Sequence, residues 1–161
     1  MASLGRAGLL FAVFYGLYYF VLSGSGLHLW YLETVHSSCS WLLNVIGLEH
    51  EASWNKYDQR GLLKTDVWAE VGVDKRSDGM LELSLLLAAV VAWAVAIPRK
   101  LLFVVLAVLM VFAIVVMRLT AGLYVEHYAP LRYEMFVTWI SPTVLLLAVM
   151  LLFLLYVRKS R

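Results

Sequence analysis

The sequence predicts an all-α polytopic membrane protein, with four transmembrane helices, an external interfacial helix and a small β-hairpin. Three observations predict it. Apolar residues make up 63% of the chain and charged residues only 15%, against about 45–50% and about 25% in soluble domains. The surplus falls in long blocks of Leu, Val and Ala, more apolar surface than one small core can hide. The charges also segregate along the chain as membrane threading requires.

A bilayer core is crossed by about 20 apolar residues, with a range of about 17–25. The 161 residues read as a single membrane domain with spans expected at about 7–23, 80–97, 101–120 and 136–157. The second span stops at Pro98. Gly16 and Pro142 lie inside spans, where neighbouring groups can satisfy the freed backbone. The first 25 residues also resemble a cleaved signal, with Arg6, an apolar run and then Ser23-Gly24-Ser25-Gly26. No small-x-small site follows the run at the usual position, so an uncleaved first helix is expected.

With the N-terminus inside and four crossings, the cytoplasmic pieces hold Arg6, Arg99, Lys100, Arg158, Lys159 and Arg161 and no acid. All 11 Asp and Glu residues fall on the other side. Short loops rich in Lys and Arg stay in the cytoplasm. The expected location is therefore the cytoplasmic (inner) membrane, with both termini cytoplasmic and residues 24–79 external. Tyr18, Tyr19, Trp139 and Tyr156 fall near the expected interfaces, and membrane lipids are the expected surroundings.

The external segment has two parts. Leu27 to Gly47 carries Leu27, Trp30, Tyr31, Val35, Leu42, Val45 and Ile46 at roughly helical spacing, mixed with Glu33, His36, Ser37, Ser38 and Asn44. This pattern suits a helix lying at the membrane surface, stopped by Gly47. Farther on, Leu63, Thr65, Val67, Ala69, Val71 and Val73 alternate with Lys64, Asp66, Trp68 and Glu70. Period two predicts a strand. Ala52 to Tyr57 is its expected hairpin partner, with Asp58-Gln59-Arg60-Gly61 as the turn.

Several function classes drop out. A net charge of +2, with no basic and aromatic platform for stacking bases, argues against nucleic acid. One cysteine, Cys39, excludes an internal disulfide and a multi-cysteine metal site. His28, His36 and His50 lack ligand spacing such as i, i+4, so no metal or cofactor is expected. Cys39, with His36 three residues before it, reads either as a nucleophile and base or as a packed or lipid-facing thiol.

The chemically informative residues gather at the outer ends of the second, third and fourth spans, where they are expected to converge on one cavity. Ser77, Asp78, Gly79, Glu82 and Ser84 open the second span, Arg118, Thr120, Glu126 and His127 end the third, and Tyr133, Glu134 and Thr138 open the fourth. Arg118 reads as a snorkelling anchor paired with Glu82 or Glu134, or as a cation for a substrate carbonyl or carboxylate. Ser-Asp-Gly reads as a turn with Asp78 as helix cap, or as the seat of a nucleophile. His127 reads as an interfacial polar residue or as a base.

Across nearly its whole length the chain resembles the exosortase/archaeosortase family, especially its short, single-domain exosortases. The likeness lies in the order of parts and in three stretches. Asp78-Gly79-Met80-Leu81-Glu82 is similar to the family's Cys-Asn-Gly or Cys-Ser-Gly helix start. Met117-Arg118-Leu119 is similar to its Asn-x-x-Arg-Ile. Leu123 to Pro130, followed by Tyr133-Glu134, is similar to the stretch before the family histidine. The resemblance implies a membrane cysteine transpeptidase or protease that cleaves C-terminal sorting signals outside the membrane, with a Cys, an Arg and a His as the catalytic set.

Only the arginine is retained, as Arg118. Ser77 stands at the nucleophile position, Val137 at or within a residue or two of the histidine position, and Val115 where the family has Asn. A serine hydroxyl needs a base beside it, unlike a thiolate. Three readings follow. The chain is a non-catalytic relative binding a peptide tail or membrane partner at its outer face, with Asp78, Glu82, Glu126 and Glu134 as binding acids. Alternatively it is an active serine variant, with Ser77 as nucleophile, Arg118 stabilising the oxyanion and His127 as base. Or it is an accessory or assembly subunit of a larger membrane complex.

Overall fold

The computed structural model describes residues 2–22, 25–66, 69–75, 77–92 and 97–159. The chain forms α1 (Ala2–Leu17) with a π-helical turn at Tyr18–Leu22, α2 (Gly26–Val45), β1 (Glu51–Asn55), β2 (Arg60–Lys64), β3 (Glu70–Val73), α3 (Met80–Ala92), α4 (Ile97–Tyr128), α5 (Pro130–Met135), a second π-helical turn at Phe136–Ile140, and α6 (Ser141–Lys159). It divides into two compact units, Met1–Ser23 with Gly79–Phe112 and Val144–Arg161, and Gly24–Asp78 with Ala113–Thr143. Helix α4 runs through both.

Two stretches, Lys100–Tyr128 and Pro130–Arg158, are long and apolar enough to cross a membrane, with 29 residues each and mean hydropathies of 3.0 and 2.5. At about 1.5 Å per residue each exceeds a hydrocarbon core of about 30 Å. Leu101, Leu102, Val105, Leu109, Leu147, Met150, Leu151 and Leu154 are exposed along them. A belt of that size needs an apolar solvent, so these helices belong in a membrane. Helix α3 has 13 described residues, and α1 reaches span length and apolarity only in combination with α2. Residues 23, 24 and 93–96, which fall in or beside the expected first and second spans, lie outside the described residues.

The last apolar helix starts at Pro130 rather than about Phe136. Pro142 has no N–H to give Thr138, and its ring crowds that carbonyl. The helix widens there, and the Ser141 N–H bonds the Phe136 carbonyl, the i to i−5 bond of a π turn.

In the first unit α1 packs against α3. Leu86 and Val90 of α3, Ala107 of α4, and Val149 and Tyr156 of α6 form a buried cluster flanked by Phe103 and Phe153. Lys100 Nζ donates to the Val91 carbonyl at 3.0 Å near the end of α3.

In the second unit α2 buries His28, Leu32, Val35, His36, Cys39 and Leu43, which recur at helical spacing on one face. Leu27, Trp30, Trp41 and Val45 are exposed. The expected apolar recurrence therefore marked mainly the outward side, and two histidines and the cysteine sit inside. The Ser25 side chain caps the first turn by accepting from the His28 N–H. At the other end Gly47 has φ +76°, the Gly47 N–H bonds the Asn44 carbonyl and the Leu48 N–H bonds the Leu43 carbonyl. This is the paired closure that favours glycine at a helix end, as expected from the sequence.

The β element is a three-stranded antiparallel sheet in the order β1-β2-β3, which corrects the expected hairpin. The alternating run from Leu63 does not continue as one strand. It folds back where the Thr65 N–H bonds the Ala69 carbonyl at 2.9 Å, and Leu63 pairs with Val71. Leu63, Thr65, Ala69, Val71 and Val73 are nonetheless all buried, because the fold-back keeps the period-two phase. Val67 and Trp68 lie outside the described residues. The first turn is Lys56–Gln59 rather than Asp58–Gly61, since Asn55 pairs with Arg60. Asn55 organises it: its Oδ1 accepts from the Tyr57 N–H at 3.0 Å and its Nδ2 donates to Asp58 Oδ2 at 2.6 Å, an Asx-type turn.

Candidate functional site

The segment Asp74–Asp78 links β3 to α3. The Ser77 N–H bonds the Asp74 carbonyl at 3.1 Å, closing the turn. The Ser77 Oγ accepts from the Asp74 N–H at 2.9 Å, and its proton is directed at the carbonyls of Asp74 (3.0 Å) and Gly72 (3.3 Å). The chain then turns at Gly79, with φ +71°, and the Leu83 N–H bonds the Gly79 carbonyl. Gly79 thus occupies the start of α3 where Asp78 was expected to cap.

Asp78 faces the interior of the second unit instead. It is 3% exposed, and its Oδ2 lies 3.0 Å from Nε2 of His28, equally buried. A carboxylate only accepts, so the proton of this bond sits on His28 Nε2. Three residues on, along the same helix face, the Tyr31 hydroxyl donates to the Asp78 carbonyl at 2.8 Å. From α4, Arg118 Nη2 donates to the Ser77 carbonyl at 2.9 Å. Residues 77 and 78 are therefore held by two helices, with α2 gripping Asp78 and α4 gripping Ser77. Cys39 ties the same helices together, its thiol directed at the Val116 carbonyl at 3.7 Å.

The structure brings together Ser77, Asp78 and Arg118. Among the described residues Arg118 makes no ion pair with Glu134. Glu82 lies in the first turn of α3, in the other unit, and Glu134 is exposed on α5. The Glu126 Oε2 accepts the Glu70 N–H at 3.1 Å, covering a backbone donor on the outer side of β3. The His127 Nδ1 is 3.8 Å from Asp66 Oδ1, and its ring packs edge-on against Tyr128 at 4.5 Å. Nine residues of helix separate Arg118 from His127, a rise of about 13 Å. Among the described residues no hydrogen bond joins His127 to Ser77.

The sequence reading weighs His36 only as a base for Cys39 and passes over His28 for want of ligand spacing. His28 makes the buried pair with Asp78. The ring of His36 lies between strand and helix, with Nε2 3.3 Å from the Leu62 carbonyl and its centroid 5.7 Å from that of Trp54. Burial, the largest influence, pulls the His36 pKa below its ordinary value, against an opposing pull from the Leu62 carbonyl. His50 Nδ1 donates to the Leu48 carbonyl at 3.0 Å, which leaves Nε2 to accept from the Ser40 hydroxyl at 2.8 Å. The signal that finds His28, His36 and Cys39 is their shared phase with Leu32, Val35 and Leu43 on one arc of the helix.

Burial pushes the Cys39 thiol up to about 12. Cys39 is fully buried, and a thiol that stays protonated is a poor nucleophile. Among the described residues no group of His, Cys, Asp and Glu is arranged to hold a metal ion. Comparison with protein-family models, curated proteins and solved structures returns no match to this chain.

Proposed function

We propose that the chain is an exosortase-like membrane scaffold without transpeptidase activity, which binds a peptide tail or the external part of a membrane partner at its outer face. In this reading it crosses the cytoplasmic membrane four times, with both termini inside and residues 24–79 outside. The segregation of the basic residues supports that threading.

The observation that carries the reading is the state of the Ser77 hydroxyl. An attacking serine must hand its proton to a base within about 2.6–3.2 Å. The Ser77 Oγ is engaged within its own turn, and its neighbours there are backbone groups and the Asp74 carboxylate. Arg118, the cation suited to an oxyanion, holds the Ser77 carbonyl instead. Both residues at family catalytic positions thus serve the architecture of the loop.

The test uses full-length chain co-expressed with a reporter bearing an apolar C-terminal tail. Recovery of uncut reporter with the chain, unchanged in Ser77→Ala and His127→Ala, is expected. Cleavage of the reporter that disappears in either variant would overturn the non-catalytic reading in favour of the serine variant. Stoichiometric recovery of a large membrane complex and no reporter would favour an assembly subunit.

A further inference from the structure

The three-stranded sheet treats its two edges differently. On β3 the Glu70 N–H, which points away from the sheet, is taken by the Glu126 carboxylate of α4 at 3.1 Å. On the far side, among the described residues β1 pairs with β2 alone. Glu51, Ala52, Ser53 and Asn55 are exposed, and Trp54 is half-buried. Proteins blunt such edges with Lys, Pro, bulges or a covering element. Residues 51–55 contain neither Lys nor Pro, and their pairing with β2 runs without a bulge from Glu51–Lys64 to Asn55–Arg60.

The charges on this edge select an occupant. Side chains two apart share a face, so Glu51, Ser53 and Asn55 line one face while Ala52 and Trp54 line the other. Trp54 packs against His36, so its face is the one turned toward α2. On the opposite face Glu51 stands beside Lys64, and Lys64 beside Glu70, with Lys64 Nζ 3.0 Å from Glu70 Oε2. The row thus reads acid, base, acid from the outer flank of β1 inward. Opposite charges in directly facing positions stabilise strand pairing and like charges oppose it. A further strand beside β1 is therefore favoured when it carries a base next to Glu51. The exposed Glu49 reinforces that preference.

We infer that the free edge of β1 receives an extended peptide as a fourth strand, with a Lys or Arg beside Glu51 and apolar side chains beside Ala52 and Trp54. The inference deepens the tail-binding function proposed above and rests on it. Main-chain hydrogen bonds supply affinity in this mode of recognition, and alternate side chains supply selectivity. The recognised class is a strand-forming segment with a base at one position and apolar residues one and three positions along β1.

The experiment uses full-length chain in nanodiscs and two short, alternating Thr-Val peptides, one with a central Lys and one with Glu there, each carrying a photoreactive group and a fluorophore. The Lys peptide is expected to bind about threefold to tenfold more tightly, the scale of one or two cross-strand charge pairs. Its adducts should map to residues 51–55, and Glu51→Lys should reverse the order of the two peptides. Glu51→Lys sets a base opposite Lys64, so Glu51→Gln, which should abolish the preference between the two peptides, is the neutral control. Adducts confined to other parts of residues 25–78 would overturn the β1 edge as the site and leave tail binding standing. Absence of adducts from both peptides would sink the two together. Chain-to-chain adducts through β1 in place of peptide adducts would identify a second copy as the occupant and overturn the inference.

Discussion

The Arg118 guanidinium donates to the backbone carbonyl of Ser77 across 2.9 Å. This bond crosses 41 residues of chain and pins the loop before α3 to the middle of α4. A charged donor on a partly buried carbonyl contributes about 1.5–3 kcal/mol. Arg118→Gln should therefore loosen the loop, and limited trypsin treatment should cut faster at the exposed Lys75. Unchanged cleavage would show that the bond holds nothing.

The pair His28–Asp78 is buried on both sides, so removal of one partner takes a buried hydrogen bond from the other. Loss of a buried hydrogen bond to a charged group costs about 1.5–3 kcal/mol. His28→Ala and Asp78→Ala should each lower the thermal midpoint of detergent-solubilised chain. The double variant should lose much less than the sum of the two. Additive losses would mean that the groups act independently.

Gly61 has no room for a side chain. A Cβ there would collide with the His36 ring and lie 2.9 Å from Trp54 Cε3. Gly61→Ala should destabilise the second unit by about 1–3 kcal/mol, read as earlier unfolding of the sheet. A neutral result would place His36 and Trp54 elsewhere in solution.

The same ring gives a pH dependence. The His36 pKa is lowered in the folded chain by burial, so the unfolded chain binds the proton more readily. The neutral ring's contribution is complete above the unfolded value of about 6.5. It is lost as pH falls from there through the lower folded value. Protease resistance of the three-stranded sheet should fall between pH 7.5 and about 5, and His36→Gln should flatten that part of the profile. A wild-type profile identical to that of the variant would contradict this.

Cys39 is fully buried and its thiol is pushed up to about 12. Maleimide at neutral pH should leave the native chain unlabelled and react after denaturation. Rapid labelling of the native chain would mean that α2 does not pack as described.

The sequence made the long apolar helices legible because hydropathy over 20 residues is a strong signal. It also gave the end of α2 at Gly47 and the buried phase of the strands. It misread what depends on contacts distant in sequence. The run from Leu63 to Val73 keeps one phase whether straight or folded back, so alternation alone could not reveal the turn at Thr65–Ala69. The apolar residues of α2 are spread round the helix, and only the packing against β2, β3 and α4 decides that His28 and Cys39 go inside while Trp30 and Trp41 stay out. The Asp78 partner is 50 residues away, beyond the reach of any local pattern. Ser77 and Arg118 stand out as polar residues at the outer ends of expected spans and again through a family resemblance, but their contact in the structure runs through the Ser77 backbone, which residue types do not encode.

The central claim is that Ser77 is a turn residue rather than a nucleophile. Membranes containing the full-length chain, treated with a fluorophosphonate probe and analysed by mass spectrometry, test it most directly. The account predicts an unmodified peptide spanning Ser77, with a resident serine hydrolase in the same membranes labelled as control. A phosphonylated Ser77, abolished in His127→Ala, would contradict it.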